Sequence, residues 1–234
     1  MINALPTTLT VRVFTLLVVA LCAIAVGLSS TSEASQLIAA QGWVVLGVNL
    51  VVFLLTLRPV FLFCHKVTFA KHWWFPLLDG EWTVTLWSNW PQVRATLAAA
   101  QGEAPRFDPL TQEPPSDPAQ PITMTAEITS SLFGIEIRMD VPGTERGSRT
   151  IFVRPQWCKP SLPTLTYVYE QTDHQPVTVT DVPQHLGAGV LKYHPEVDEL
   201  RGEYWTQRQG SKGLNTAGSL LLRRSSNSAN RTSN

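Results

Sequence analysis

The chain is poor in several things at once, and each shortage excludes a class of protein. It has three cysteines in 234 residues, Cys22, Cys64 and Cys158. An odd, scattered set of this kind excludes a disulfide framework and suits a reducing compartment. Charge is sparse at 15%, and the 18 Lys and Arg equal the 18 Asp and Glu, so no basic excess marks a partner of duplex nucleic acid. No Cys-x-x-Cys pair, His-Glu-x-x-His motif or dense His/Asp/Glu cluster is present, which argues against a built-in metal and gives no reason to expect a cofactor. The histidines at 174, 185 and 194 read as isolated residues on separate loops and strands. Neither a Gly-x-Ser-x-Gly elbow nor a phosphate-cradling loop before a helix occurs, and there is no internal repeat. Nothing in the sequence calls for an enzyme.

What charge there is lies unevenly. Residues 1–75 contain one acid, Glu33, and four bases, Arg12, Arg58, Lys66 and Lys71, in an apolar background. Two charge-free runs, 13–32 and 34–57, carry the expected spans at about 11–30 and 37–57, and each reaches the roughly 20 residues that a bilayer core requires. The polar stretch 29–36 reads as the turn between them. A helical hairpin of this sort has both ends on one side, and the four bases flank that side. Positive residues stay in the cytoplasm, so both termini are expected there and the chain is expected to be a multi-pass protein of a bacterial inner membrane. The alternative for the first run is a cleaved signal peptide. Asn49 is positioned to hydrogen-bond within the hairpin or between copies, and Trp73 and Trp74 suit an interfacial anchor or the first packed residues of the next domain.

Beyond Pro76 the period changes from helical to two. Trp82, Val84 and Leu86 alternate with polar or outward residues, as do Met124, Ala126 and Ile128, and then Ile135, Ile137 and Met139. Further strand-like segments run at 149–154, 164–170, 187–193, 199–207 and 213–223. Residues 76–223 are thus expected to be all β. About eight antiparallel strands would close into a barrel because closure removes exposed edges, with a sandwich as the alternative. No amphipathic helical stretch is expected after Pro91. The Pro-rich segment 95–121 reads as a flexible insertion, and 224–234 as a disordered tail.

Several short motifs occur in a particular order: the apolar hairpin, Gly80-x-Trp82, Trp87-Ser88-Asn89-Trp90-Pro91, Tyr167-x-Tyr169, His185-x-Gly187 and Gly202-x-Tyr204-x-Thr206. Together they resemble the two-transmembrane, β-strand-rich effectors associated with bacterial cGAS/DncV-like nucleotidyltransferases, the CBASS anti-phage systems. The family tends to carry an Asn before a Pro after the Tyr-x-Tyr pair. Here Gln171-Thr172-Asp173-His174-Gln175 precedes Pro176. The resemblance implies a receptor whose barrel binds a cyclic di- or oligonucleotide, assembles into a homo-oligomer on activation, and disrupts the inner-membrane lipid bilayer. Such a ligand needs ring faces to stack on and cations for its phosphates. Tyr167, Tyr169, Tyr204, Thr206 and Arg208 supply these on late strands, with Arg154 on another strand and Thr144 and Ser148 near a turn. Tyr204, Thr206 and Arg208 share one strand face by alternation. Structural roles compete for the same residues: core packing for the tyrosines, a strand bend for Gly202, turn chemistry for Thr144 and Ser148. A rival function is a membrane-tethered, lipocalin-like barrel for a lipid or other apolar ligand, which would need an apolar rather than polar lining.

Overall fold

A computed structural model describes residues 18–20, 34–67, 75–114, 121–157, 160–173 and 182–225. The chain divides into two units, Met1–Leu77 with Ser130–Gly134, and Leu78–Thr129 with Ile135–Asn234.

In the first unit, helix α1 spans Ala34–Thr56 and helix α2 spans Arg58–Val67. Among the described residues no single helix is long and apolar enough to cross a membrane. Gly42–Thr56 and Arg58–Val67 satisfy that requirement only as a pair, bent by 91°. The bend has a local cause. Pro59 cannot donate a backbone hydrogen bond and its ring crowds the carbonyl four residues back, so it cannot continue α1, but it is well tolerated in the first turn of a new helix. The chain accordingly restarts at Arg58, with the Phe61 amide donating to the Leu57 carbonyl at 3.0 Å. α2 is amphipathic: Phe61 and His65, four residues apart, are buried, while Phe63, Lys66 and Val67 are exposed. His65 Nε2 donates to the Phe75 carbonyl at 3.1 Å. The expected linker after residue 57 is therefore helical through Val67, and the expected turn at 29–36 is already helix from Ala34. Of the first expected span only residues 18–20 are described, and they are helical. Trp73 and Trp74 lie outside the described residues.

The second unit is a closed barrel of eight antiparallel strands in sequence order. They are β1 Gly80–Ser88, β2 Ile122–Ser130, β3 Ile135–Asp140, β4 Arg146–Gln156, β5 Thr164–Asp173, β6 Gln184–His194, β7 Glu199–Gln207 and β8 Ala217–Arg224. Closure comes from β1 pairing with β8, Val84 opposite Leu222, which excludes the sandwich. The alternation read from the sequence selects the inner face: Trp82, Val84, Ile128, Ile137, Leu165, Leu191, Leu200 and Leu222 are all wholly buried.

Two sequence expectations need correction. Trp90–Ala100, overlapping the expected loop, is a helix, α3. Pro91 pre-sets its first turn and Ala, Leu, Gln and Arg propagate it. It buries only Ala95, so no apolar stripe announced it. Arg224, expected in the tail, instead ends β8 and packs against Trp82. Residues 226–234 lie outside the described residues.

Candidate functional site: the polar mouth of the barrel

One end of the lumen is sealed. The Arg224 guanidinium carbon sits 4.4 Å from the centre of the Trp82 ring. Arg224 Nη1 donates to the Asp79 carbonyl at 2.6 Å, and Arg224 Nε donates to Asp198 Oδ2 at 2.6 Å. Trp82 Nε1 donates to the Leu78 carbonyl at 3.0 Å, and the Tyr193 hydroxyl donates to Asp198 Oδ1 at 3.0 Å. Burial, then the Asp198 bond and charge, push the Tyr193 phenol up to about 12. Above this seal Leu165, Leu191, Leu200 and Leu222 fill the lumen.

At the other end the lining becomes polar. The register sets out its rows. Thr150, Tyr169, Gly187 and Thr206 face one another across β4 to β7, and Ser148, Gln171 and His185 lie one step further toward the mouth. Tyr167 and Tyr169 have ring centres 5.8 Å apart. Each covers a glycine on the neighbouring strand. A Cβ at Gly187 would lie 2.3 Å from Tyr169 Cζ, and one at Gly189 would lie 2.6 Å from Tyr167 Cζ. The Gly187-Ala188-Gly189 pattern therefore exists to seat two rings, as close approach within a strand implies. Gly202 is a backbone contact instead: a Cβ there would meet the Val190 carbonyl oxygen at 1.8 Å.

Burial raises the Tyr167 and Tyr169 phenols well above their ordinary value and raises the Tyr204 phenol too, so all three stay protonated and able to donate. Arg208 follows Tyr204 and Thr206 at steps of two, just past the end of β7, and its positive charge opposes that rise at Tyr169 and Tyr204. Next to Arg208 the β7–β8 connection encloses an open hollow of about 590 Å³, lined by Arg208, Lys212 and Asn215 among others. At the same end Arg146 Nε and Asp173 Oδ2 form an ion pair at 3.0 Å, which neutralises a buried carboxylate on the inner face.

The sequence-nominated residues separate into groups. Tyr167, Tyr169, Tyr204 and Arg208 come together in the lumen near its polar end. Ser148 joins them on the inner face, half-buried and opposite Gln171. Thr206 is also there, but its hydroxyl is committed: Oγ1 accepts from the Thr216 amide at 3.0 Å and bonds the Thr216 hydroxyl at 2.9 Å, tying β7 to β8. Thr144 is exposed in the β3–β4 turn, where its hydroxyl donates to the Val141 carbonyl at 2.9 Å, a turn role. Arg154 lies on the outer face, exposed, and is not part of the mouth. Sequence reasoning missed Gln171, Asp173, His185 and Arg146. The signal was present as parity, because Gln171 and Asp173 follow Tyr167 and Tyr169 at steps of two. It was lost because the strands run further than their apolar alternation: β5 to Asp173, β6 from Gln184 and β4 from Arg146.

The assembled mouth offers a guanidinium, protonated phenols, a hydroxyl, a carboxamide and an imidazole above an apolar floor. Among the described residues no group of three or more His, Cys, Asp or Glu side chains is placed to hold a metal. No protein-family model and no curated protein sequence matches the chain.

Proposed function

We propose that the barrel is a receptor for a cyclic di- or oligonucleotide, and that the chain is a CBASS-type effector of the bacterial inner membrane. In this reading the apolar N-terminal segment forms a two-helix hairpin with both termini in the cytoplasm. Occupancy of the mouth drives homo-oligomerisation, and the hairpins then disrupt the bilayer. No bond is made or broken, so the protein acts as a binder and not an enzyme. The observation that carries the reading is the placement of Arg208 beside a hollow at the polar end of an otherwise plugged barrel, two residues past Thr206, which shares a row with Tyr169. A cyclic nucleotide presents anionic phosphodiesters, and this constellation supplies a cation with phenol hydroxyls on the same face of the lumen. Ser148 and Gln171 add polar groups, while Thr206 holds the strand that carries Arg208. A lipid-binding barrel has less support, since Trp82, Tyr167, Leu165 and Leu191 occupy the lumen that an acyl chain would need.

The test is ligand titration of the full chain in detergent micelles, with cyclic di- and trinucleotides as probes, against Arg208→Ala. A lost charge-assisted contact costs roughly 1.5–3 kcal/mol, an affinity loss of about 10- to 150-fold, with the fold intact by circular dichroism. Co-expression with a cyclic-dinucleotide synthase should arrest growth with the parent chain and not with the variant. Tight binding of a fatty acid, together with no response to any cyclic nucleotide, would establish the lipid alternative.

A further inference from the structure

The outer wall of the barrel across β4 to β7 departs from the polar surface expected of a solvated sheet face. The register aligns Phe152, Val168, Ala188 and Trp205 as one cross-strand row, about 14 Å long at the usual strand spacing. The register shift between Thr150 and Phe152 puts two successive large side chains outward, Ile151 and Phe152, 61% and 54% exposed. At the far end Trp205 is 49% exposed, and Leu186 beside the row is 41% exposed. The largest side chains of the row stand at its two ends, Phe152 and Trp205, with Val168 and Ala188 between them.

The next row is Arg154, Thr166, Val190 and Glu203. Its two ends carry opposite charge, and neither Arg154 nor Glu203 has a hydrogen-bond or ion-pair partner among the described residues. The surface is therefore complementary to itself. A two-fold axis running along the strands between β5 and β6 brings Arg154 opposite Glu203 of the partner subunit, twice, and Phe152 opposite Trp205 of the partner subunit, twice. A two-fold axis along the rows would instead set Arg154 against Arg149 of the partner subunit, a like charge, and Glu203 against Gln207 of the partner subunit, in the row Arg149, Glu170, Leu186 and Gln207.

We propose that this wall is the isologous interface between two copies of this chain, with the row from Phe152 to Trp205 as its apolar centre and the Arg154–Glu203 pairs at its rim. The interface lies outside the lumen and does not depend on what the mouth binds.

Cysteine cross-linking in the full chain, in detergent micelles and with Cys22, Cys64 and Cys158 replaced by serine, tests it. The double variant Arg154→Cys, Glu203→Cys should be joined by a short bismaleimide, which spans the gap that the two long side chains fill, into a covalent dimer and go no further, while each single variant stays monomeric. Dimers from a single variant, no dimer from the double, or a ladder beyond the dimer would each overturn the proposed symmetry. Sedimentation provides the second measurement. Because each dimer contains the pair twice, Arg154→Glu should weaken dimerisation about tenfold or more, and adding Glu203→Arg should restore it. Failure of the double reversal to restore dimerisation refutes the pairing.

Discussion

Arg224→Ala is the substitution whose cost can be worked out most directly. Three interactions end with it. The charge-assisted bond from Nη1 to the Asp79 carbonyl is the largest, at roughly 1.5–2 kcal/mol net. Stacking of the guanidinium on Trp82 at 4.4 Å adds about 1 kcal/mol at a partly buried site. The Asp198 ion pair counts for least: the side chains are 23% and 41% exposed, so solvent screening leaves about 0.5 kcal/mol. The sum is about 3 kcal/mol. For a domain near 150 residues that lowers the melting temperature by roughly 6–12 °C. Melting the full chain in detergent, followed by near-ultraviolet circular dichroism, reads this directly, since Trp82 lies under the guanidinium. Arg224→Lys should recover only part of the loss, because an ammonium cannot reach Asp79, Asp198 and the ring face together. A loss below about 1 kcal/mol would mean that the seal at this end of the barrel is decorative, and that β1 and β8 are held by their ladder and the leucines alone.

Other outcomes follow from the same geometry. All four tyrosines of the chain lie in the barrel, each with its phenol raised chiefly by burial, so the folded state holds their protons more tightly than the unfolded state. Stability from this source is complete below pH 10 and is lost as pH rises from 10 through about 12, where Tyr193 titrates. Tyrosinate absorbance should therefore appear together with unfolding, and a free titration near pH 10 in the folded protein would refute it. Gly187→Ala and Gly189→Ala drive a methyl into a tyrosine ring and should each cost about 1–3 kcal/mol by thermal melting, whereas Gly202→Ala meets backbone and should prevent folding altogether. Removing the ion pair through Arg146→Ala leaves the buried Asp173 carboxylate uncompensated, and the lost stability should return with Asp173→Asn in the same chain.

The barrel was legible because period-two alternation is a local signal. Trp82 and Val84, Met124 to Ile128, and Ile135 to Met139 each point inward wherever the strand is placed. The breaks in legibility have physical causes. α3 was hidden because a helix buried at Ala95 alone has no stripe to detect. The end of α1 at Thr56 depends on Pro59, which was visible, but the 91° change of direction there is a matter of packing. The site was half legible. Tyr167, Tyr169, Tyr204 and Arg208 shared parity and chemistry, while Arg154 had the right chemistry on the wrong face. The register shift in β4 decides that, because one extra residue reverses every side chain beyond it.

The sequence by itself determined the elements of the barrel and which face of each strand turns inward, since alternation and turn chemistry act between neighbours in the chain. Tertiary structure alone decided that β1 meets β8, that Arg224 closes over Trp82, and that Thr206 spends its hydroxyl on Thr216. It also brought Gln171 and His185 to the same mouth as Arg208. Each of these depends on pairing between residues far apart in sequence, and that pairing is set by closure of the sheet, not by any local propensity.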